Sequence, residues 1–217
     1  MGSTATPSPK AEAHQALLDA AERLLVESGA AGVTTRRVAQ EAGVNHGLVH
    51  YYFGSIENLV AEVLERFTDK LLLRQRAMYA ADAPFVDKWR AAMSYMDQDH
   101  ESGYHKIWLE LHAMAWNRPE LRERVARVTA EWRSVLAGAL ETAAREYGLR
   151  PAEAPVAAIT ALIETATIGT MMERHIGVTT GHAELLAEIE RRLERLERKK
   201  GSSDAGTASG RGRVRRP

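Results

Sequence analysis

Side chains able to do covalent or metal chemistry are sparse on this chain. It has no cysteine, which removes thiolate nucleophiles, disulfides and thiolate zinc sites together. Of its eight histidines, His105 and His112 share one helical face at i and i+7. Neither has a histidine at i+3 or i+4 to build a metal site. No Gly-rich phosphate loop, nucleophile elbow or paired-histidine zinc motif is present. The chain is therefore expected not to be an enzyme and to need neither cofactor nor metal. Its chemistry is expected to be recognition, and the residues suited to that gather in Thr34-Thr-Arg-Arg-Val-Ala-Gln-Glu-Ala-Gly-Val-Asn-His-Gly-Leu-Val-His-Tyr-Tyr-Phe53.

The elements that must position that stretch are short helices. Leu17, Leu18, Ala21, Leu24 and Leu25 fall at helical spacing from Ala11 onward, and Ser28-Gly29 stops that helix. Thr34 is an N-cap for a second helix to Ala42, ended by Gly43. Asn45 opens a third, through Tyr52. Gly54-Ser55 breaks it, and Ser55 with Asn58 starts a longer helix. Three short helices with very tight turns form a helix-turn-helix layout. Val38, Val44 and Val49 turn toward one small core, Ala39 permits close crossing, and Gly43 supplies the turn. The other faces then point outward together.

The quoted stretch resembles the TetR-type repressor family, whose Thr-x-x-x-(Ile/Val)-Ala-x-x-Ala-Gly-Val-x-x-Gly-x-(Leu/Val)-x-x-(Tyr/His)-Phe pattern it meets at each fixed position. Leu59 continues the match, and Trp108 to Arg122 is similar to a segment in one group of such regulators. The resemblance implies phosphate contacts from Thr35 and Tyr52, and base or groove contacts from Arg36, Asn45, His46, Gly47, Leu48 and Tyr51. These residue types suit the task. Arg36 can pair with guanine, Asn45 or His46 with base edges, and Leu48 can pack on a thymine methyl; Gly47 lets the backbone come close. Three positions depart from the family. His50 stands where a phosphate-touching Tyr is usual, Ile56 where a Lys is usual, and Asn45 where Ser or Thr is commoner. His46 and His50 are one turn apart, and their protonation would add back positive charge.

Beyond Ser55 the chain is expected to be all helix, so the fold class is all-α: an N-terminal three-helix DNA-binding domain and a C-terminal helical ligand-binding and dimerisation domain. The expected boundaries are a disordered tail over 1–10, the helix-turn-helix domain over 11–55, the C-terminal domain over 56–200, and a flexible basic tail over 201–217 carrying Arg211, Arg213, Arg215 and Arg216. The last helix is expected to end near Lys200. Large aromatics and adaptable methionines (Trp89, Met93, Trp108, His112, Trp116, Met171, Met172 and His175) make a plausible cavity for an apolar or amphipathic effector. The resemblance supports a pocket there. Glu164, in an otherwise apolar or small run, is a buried hydrogen-bonding group or a polar ligand contact. Ala161, Thr165 and Gly169 allow close helix approach, while Leu186, Ile189, Leu193 and Leu196 form a coiled-coil-like seam. Together they point to a homodimer, because a reader of this type needs two recognition helices ~34–36 Å apart.

Bulk composition constrains rather than identifies. The formal net charge is +0. Up to Ser55, four cations (Lys10, Arg23, Arg36, Arg37) stand against five anions (Glu12, Asp19, Glu22, Glu27, Glu41), so that segment is net −1. Pattern and not charge carries the DNA expectation. Met1–Pro9 lacks the apolar core of a secretory signal, and no run approaches the roughly 20 uninterrupted apolar residues of a membrane span. A cytoplasmic location with no membrane partner is expected. The functional expectation is a regulator, released from palindromic double-stranded operator DNA by a small effector. The competing possibility is a helical ligand-binding protein with weakened DNA binding, supported by Ile56 and the neutral N-terminal segment.

Overall fold

Pro9 suits the first turn of a helix because it lacks the N–H that this turn cannot use, and α1 runs Pro9–Ser28. The computed structural model describes residues 9–210, with side chains to Ser202. The helix thus takes in Pro9 and Lys10, which the sequence placed in a disordered tail. The rest of that tail, and the four arginines after Gly210, lie outside the described residues. Gly29 ends α1 at φ 68°, and a single 3₁₀ turn, Ala30–Gly32, leads to α2 (Thr35–Glu41) and α3 (Gly47–Phe53). Then follow α4 (Ile56–Ala80), α5 (Phe85–Glu101), α6 (Tyr104–Ala115), α7 (Pro119–Glu146), α8 (Val156–His175) and α9 (His182–Gly210). Among the described residues there is no strand. The all-α expectation holds.

The chain divides into two compact units. The first comprises residues up to Leu73 with Gln98–Trp132, and the second Arg74–Asp97 with residues from Arg133 onward. The division falls inside α4, α5 and α7. The reason is shared burial: Leu17, Leu25, Val38, Val49 and Leu59 lie in one core with Ile107, Leu111, Leu121 and Val125. Each large aliphatic side chain removed from water there contributes roughly 1.5–3 kcal/mol. The helix-turn-helix has no private core.

Ion pairs trim the first unit. Arg66 on α4 pairs with Asp19 and Glu22 on α1, and Arg124 on α7 forks onto Glu65 on α4. Hydrogen bonding from Arg124 holds the Glu65 carboxyl below the usual carboxylate range against the opposing effect of burial. On the first unit's far side, Lys106 Nζ donates to the Val26 carbonyl at 2.9 Å, and the Glu110 carboxylate accepts the Ala30 N–H. Both are on α6, four residues apart, so one helical face seals the end of α1.

In the second unit, Arg90 on α5 reaches Glu190 and Glu194 on α9, and Arg174 on α8 reaches Asp97 on α5. Glu164, in the middle of α8, pairs with Arg133 on α7 at 2.7 Å. The α8 segment is long and apolar enough, by length and composition alone, to cross a membrane. Few of its side chains are buried: Leu162 is 68% exposed, and Met172 is exposed as well. The backbone of α9 remains helical to Gly210 instead of stopping near Lys200. No proline interrupts 201–210 to end it.

Candidate nucleic-acid interface

Local chemistry fixes the α2–turn–α3 unit. Thr34, extended at φ −123°, accepts the Arg37 N–H on its side-chain oxygen and so caps α2. Gly43, at φ 69°, makes the turn. Val44 N–H then returns to the Ala39 carbonyl at 3.0 Å, locking the two helices together. The α3 helix starts at Gly47, two residues after its expected cap. The N-cap position is therefore His46, whose side chain makes no cap hydrogen bond, while Asn45 one residue earlier accepts the Gly47 N–H on its Oδ1 at 2.8 Å. Val49 and Phe53 are buried, and Asn58 Nδ2 donates to the Phe53 carbonyl at 2.9 Å. One side of α3 is thereby sunk in the core and the other is presented to solvent.

The sequence-nominated contacts distribute unevenly over that surface. Arg36, His46, Gly47 and Tyr51 are exposed, Tyr51 at 65%. Arg36 has no ion pair or hydrogen bond to another described residue. Asn45 spends its oxygen on Gly47, which leaves its amide N–H₂ to donate outward. A Cβ on Gly47 would lie 3.3 Å from that oxygen, so the same contact at the start of α3 favours glycine there. His50 Nδ1 lies 2.7 Å from the Gly54 carbonyl, so the δ-protonated ring donates to it and leaves Nε2 outward. Thr35 is half-buried at the start of α2. Leu48 is half-buried against the core, which limits its reach toward a thymine methyl. Tyr52 is also half-buried, edge-on to His14 with ring centroids 5.5 Å apart.

Three residues at this surface escaped the sequence analysis. Lys10 holds its ammonium 5.2 Å from the centre of the Tyr51 ring, and the hydrogen bond to Tyr51 raises its pKa. It was assigned to a tail, and only the helix-compatible Pro9 signals otherwise. His14 stacks on Phe53 at 4.8 Å and pairs with Glu62 at 3.2 Å, bracing α3 against α1 and α4. Arg118, at the α6–α7 corner, sits 3.8 Å from Glu57 in the first turn of α4. It brings a cation beside the position where Ile56 is packed against the core. No sequence signal links positions 57 and 118.

The other nominated groups are divided between the two units. In the first unit, Trp108 stacks on His112 at 3.4 Å, and His112 is tied to the Trp108 carbonyl at 2.8 Å and to Thr129 Oγ1 at 3.3 Å. Burial pushes the His112 imidazole below its ordinary value. Trp116 is 75% exposed and lines no interior. In the second unit, Trp89 and Met93 are half-buried, Met171 is buried, and Met172 and His175 are exposed, with His175 Nδ1 2.9 Å from the Met171 carbonyl. Of the seam residues, Ala161 and Gly169 on α8 and Ile189, Leu193 and Leu196 on α9 are half-buried. Thr165 on α8 and Leu186 on α9 are exposed. A Cβ on Gly169 would meet nothing within 4 Å.

The segment that carries this surface, and longer stretches of the chain, are similar to known proteins. A family model described as bacterial regulatory proteins, tetR family, matches residues 17–63, from within α1 into α4. Over 126 residues the chain is 29% identical to the HTH-type transcriptional regulator BetI of Rhizobium meliloti (strain 1021), covering 56% of this chain and 61% of that protein. The chain thus spans less than two thirds of that relative's length. A putative TetR-family transcriptional regulator from Rhodococcus sp. matches with TM-score 0.63 and 25% identity, over 82% of this chain and 97% of that one. The transcriptional regulator FadR from Bacillus subtilis, solved with stearoyl-CoA, matches with TM-score 0.68 at 17% identity, over 83% and 97% of the two chains. That last likeness shows a shared fold.

Proposed function

We propose, from the premise that this chain belongs to the TetR-type regulators, that it is a cytoplasmic DNA-binding transcriptional regulator, a homodimer that leaves a palindromic operator when a small molecule binds. The observation that carries this is α3. Val49 and Phe53 anchor it in a core shared with α6 and α7, while Asn45, His46, Gly47, His50 and Tyr51 face solvent together. A short helix held rigidly by one face and polar on the other is the form that enters a major groove.

Lys10 and Arg118 complete the electrostatic side. With Ile56 in place of a cation, these two arginine and lysine heads supply phosphate contacts from α1 and from the α6–α7 corner. The open α8 face, with Leu162, Thr165 and Met172, and the α9 seam of Leu186, Ile189, Leu193 and Leu196 take the second copy, which sets the spacing of two recognition helices. An apolar or amphipathic effector among the C-terminal helices is supported by the FadR neighbour, which was solved with stearoyl-CoA.

Selection of duplexes from a random pool tests this reading. One two-fold symmetric sequence should be enriched by the full chain and not by a His46→Ala, Tyr51→Ala variant. Enrichment of no sequence would sink it.

A further inference from the structure

The second unit holds a cavity of about 150 Å³ at the start of α5. Its floor is Gly138, Ala139 and Ala143 on α7, small residues that leave the space open, and a Cβ on Gly138 would meet nothing within 4 Å. Its wall is the nearly parallel pair Tyr79 and Phe85, with ring centroids 6.5 Å apart. Lys88 also lines it and is only 9% exposed.

The lysine is what makes this more than a packing gap. Its Nζ donates to the Tyr79 carbonyl at 3.0 Å, which uses one of three N–H donors. No described carboxylate lies within ion-pair distance of it. A buried ammonium facing only a neutral carbonyl is costly, and a bound anion offsets that cost. Glu146, also at the wall, is engaged by Lys200 at 3.6 Å. Burial pushes the Tyr79 hydroxyl up to about 12, so it stays neutral and adds no competing negative charge.

We infer that this cavity binds a small monocarboxylate, its oxygens on Lys88 Nζ and its short apolar body between the Tyr79–Phe85 wall and the α7 floor. The size follows from volume: a cavity of roughly 150 Å³ takes a molecule about as large as benzene. A single buried cation matches a single negative charge, and the Glu146 carboxylate nearby disfavours a dianion. None of the lining residues is among those nominated from the sequence, and binding here does not depend on the regulator reading.

Calorimetry and thermal unfolding of the full chain with sodium hexanoate, hexanamide and inorganic phosphate at matched ionic strength decide it. Hexanoate should bind once per chain and raise Tm by roughly 5–10 °C at 100 times its Kd. Hexanamide and phosphate should bind at least tenfold more weakly. Lys88→Met should lose at least tenfold in hexanoate affinity. If that variant does not fold, Ala139→Leu, which fills the floor and keeps Lys88, should lose binding equally. Hexanamide binding as tightly as hexanoate, a preference for phosphate, or undiminished hexanoate binding in the folded variants would overturn the assignment. No DNA is present, so failure here leaves the regulator reading untouched.

Discussion

The carboxylate of Glu110, on α6, accepts the backbone N–H of Ala30 at the corner between α1 and α2. Gly29 beside it is at φ 68°, and a Cβ there would come within 2.6 Å of Glu110 Oε1. The corner that leads from α1 into α2 is thus held by a residue eighty positions away. Gly29→Ala should destabilise by about 1–3 kcal/mol, from the left-handed backbone and the displaced carboxylate together. Glu110→Gln should cost less, because an amide oxygen still accepts. Thermal unfolding checks both, with Gly29→Ala expected several degrees below Glu110→Gln.

Arg118 supplies the second prediction. If its guanidinium serves a phosphate, Arg118→Ala should flatten the slope of log affinity against log salt by about 0.9 per chain. Adding Ile56→Lys to that variant should restore the slope, because it returns a cation to the first turn of α4. An unchanged slope in Arg118→Ala would confine Arg118 to its ion pair with Glu57.

The acid limb of stability should carry two signatures. Burial lowers the His112 pKa from its ordinary 6.5, so the unfolded chain binds more protons between that lowered value and 6.5. Stability therefore falls as pH drops through that window. His112→Gln should lose less Tm between pH 7 and 5.5 than the parent. Glu65 is lowered from 4.5, chiefly by hydrogen bonding from Arg124. Its contribution is present above 4.5 and is lost as pH falls through the lowered value. Glu65→Gln should therefore flatten the Tm profile below pH ~4.5 and leave the limb near pH 6 unchanged.

Leu162, exposed on α8, gives a test of assembly. Leu162→Glu places a charge on a face that packs on little within its own chain, so the fold should persist. Sedimentation at micromolar concentration should show a dimer for the parent and a monomer for the variant, with matching helical circular dichroism. A variant that remains dimeric would put the interface elsewhere.

Much of the first unit was legible in the sequence because its signals are local. Thr34, Gly43, Asn45 and Ser55 each act within three residues of themselves, and caps and turns of that kind can be read from spacing. What could not be read was non-local. Nothing in the order of residues places Glu110 against Ala30, Arg118 against Glu57, or Leu111 and Val125 in the core with α2 and α3. The nominated pocket residues illustrate a second limit. Aromatic and methionine side chains mark core and cavity alike, and hydrophobicity alone could not separate exposed Trp116 from stacked Trp108. Lys88 was overlooked because a lysine on an amphipathic helix is ordinarily on the surface; only three-dimensional packing reveals its burial.

The central claim is that α3 reads DNA, and its most direct test is the affinity of the full chain for its selected duplex across a salt series. A steep negative slope of log affinity against log salt is expected, with tight binding confined to one two-fold symmetric site whose halves lie about one helical turn apart. Affinity that is flat with salt, or equal for selected and scrambled duplexes, would contradict it.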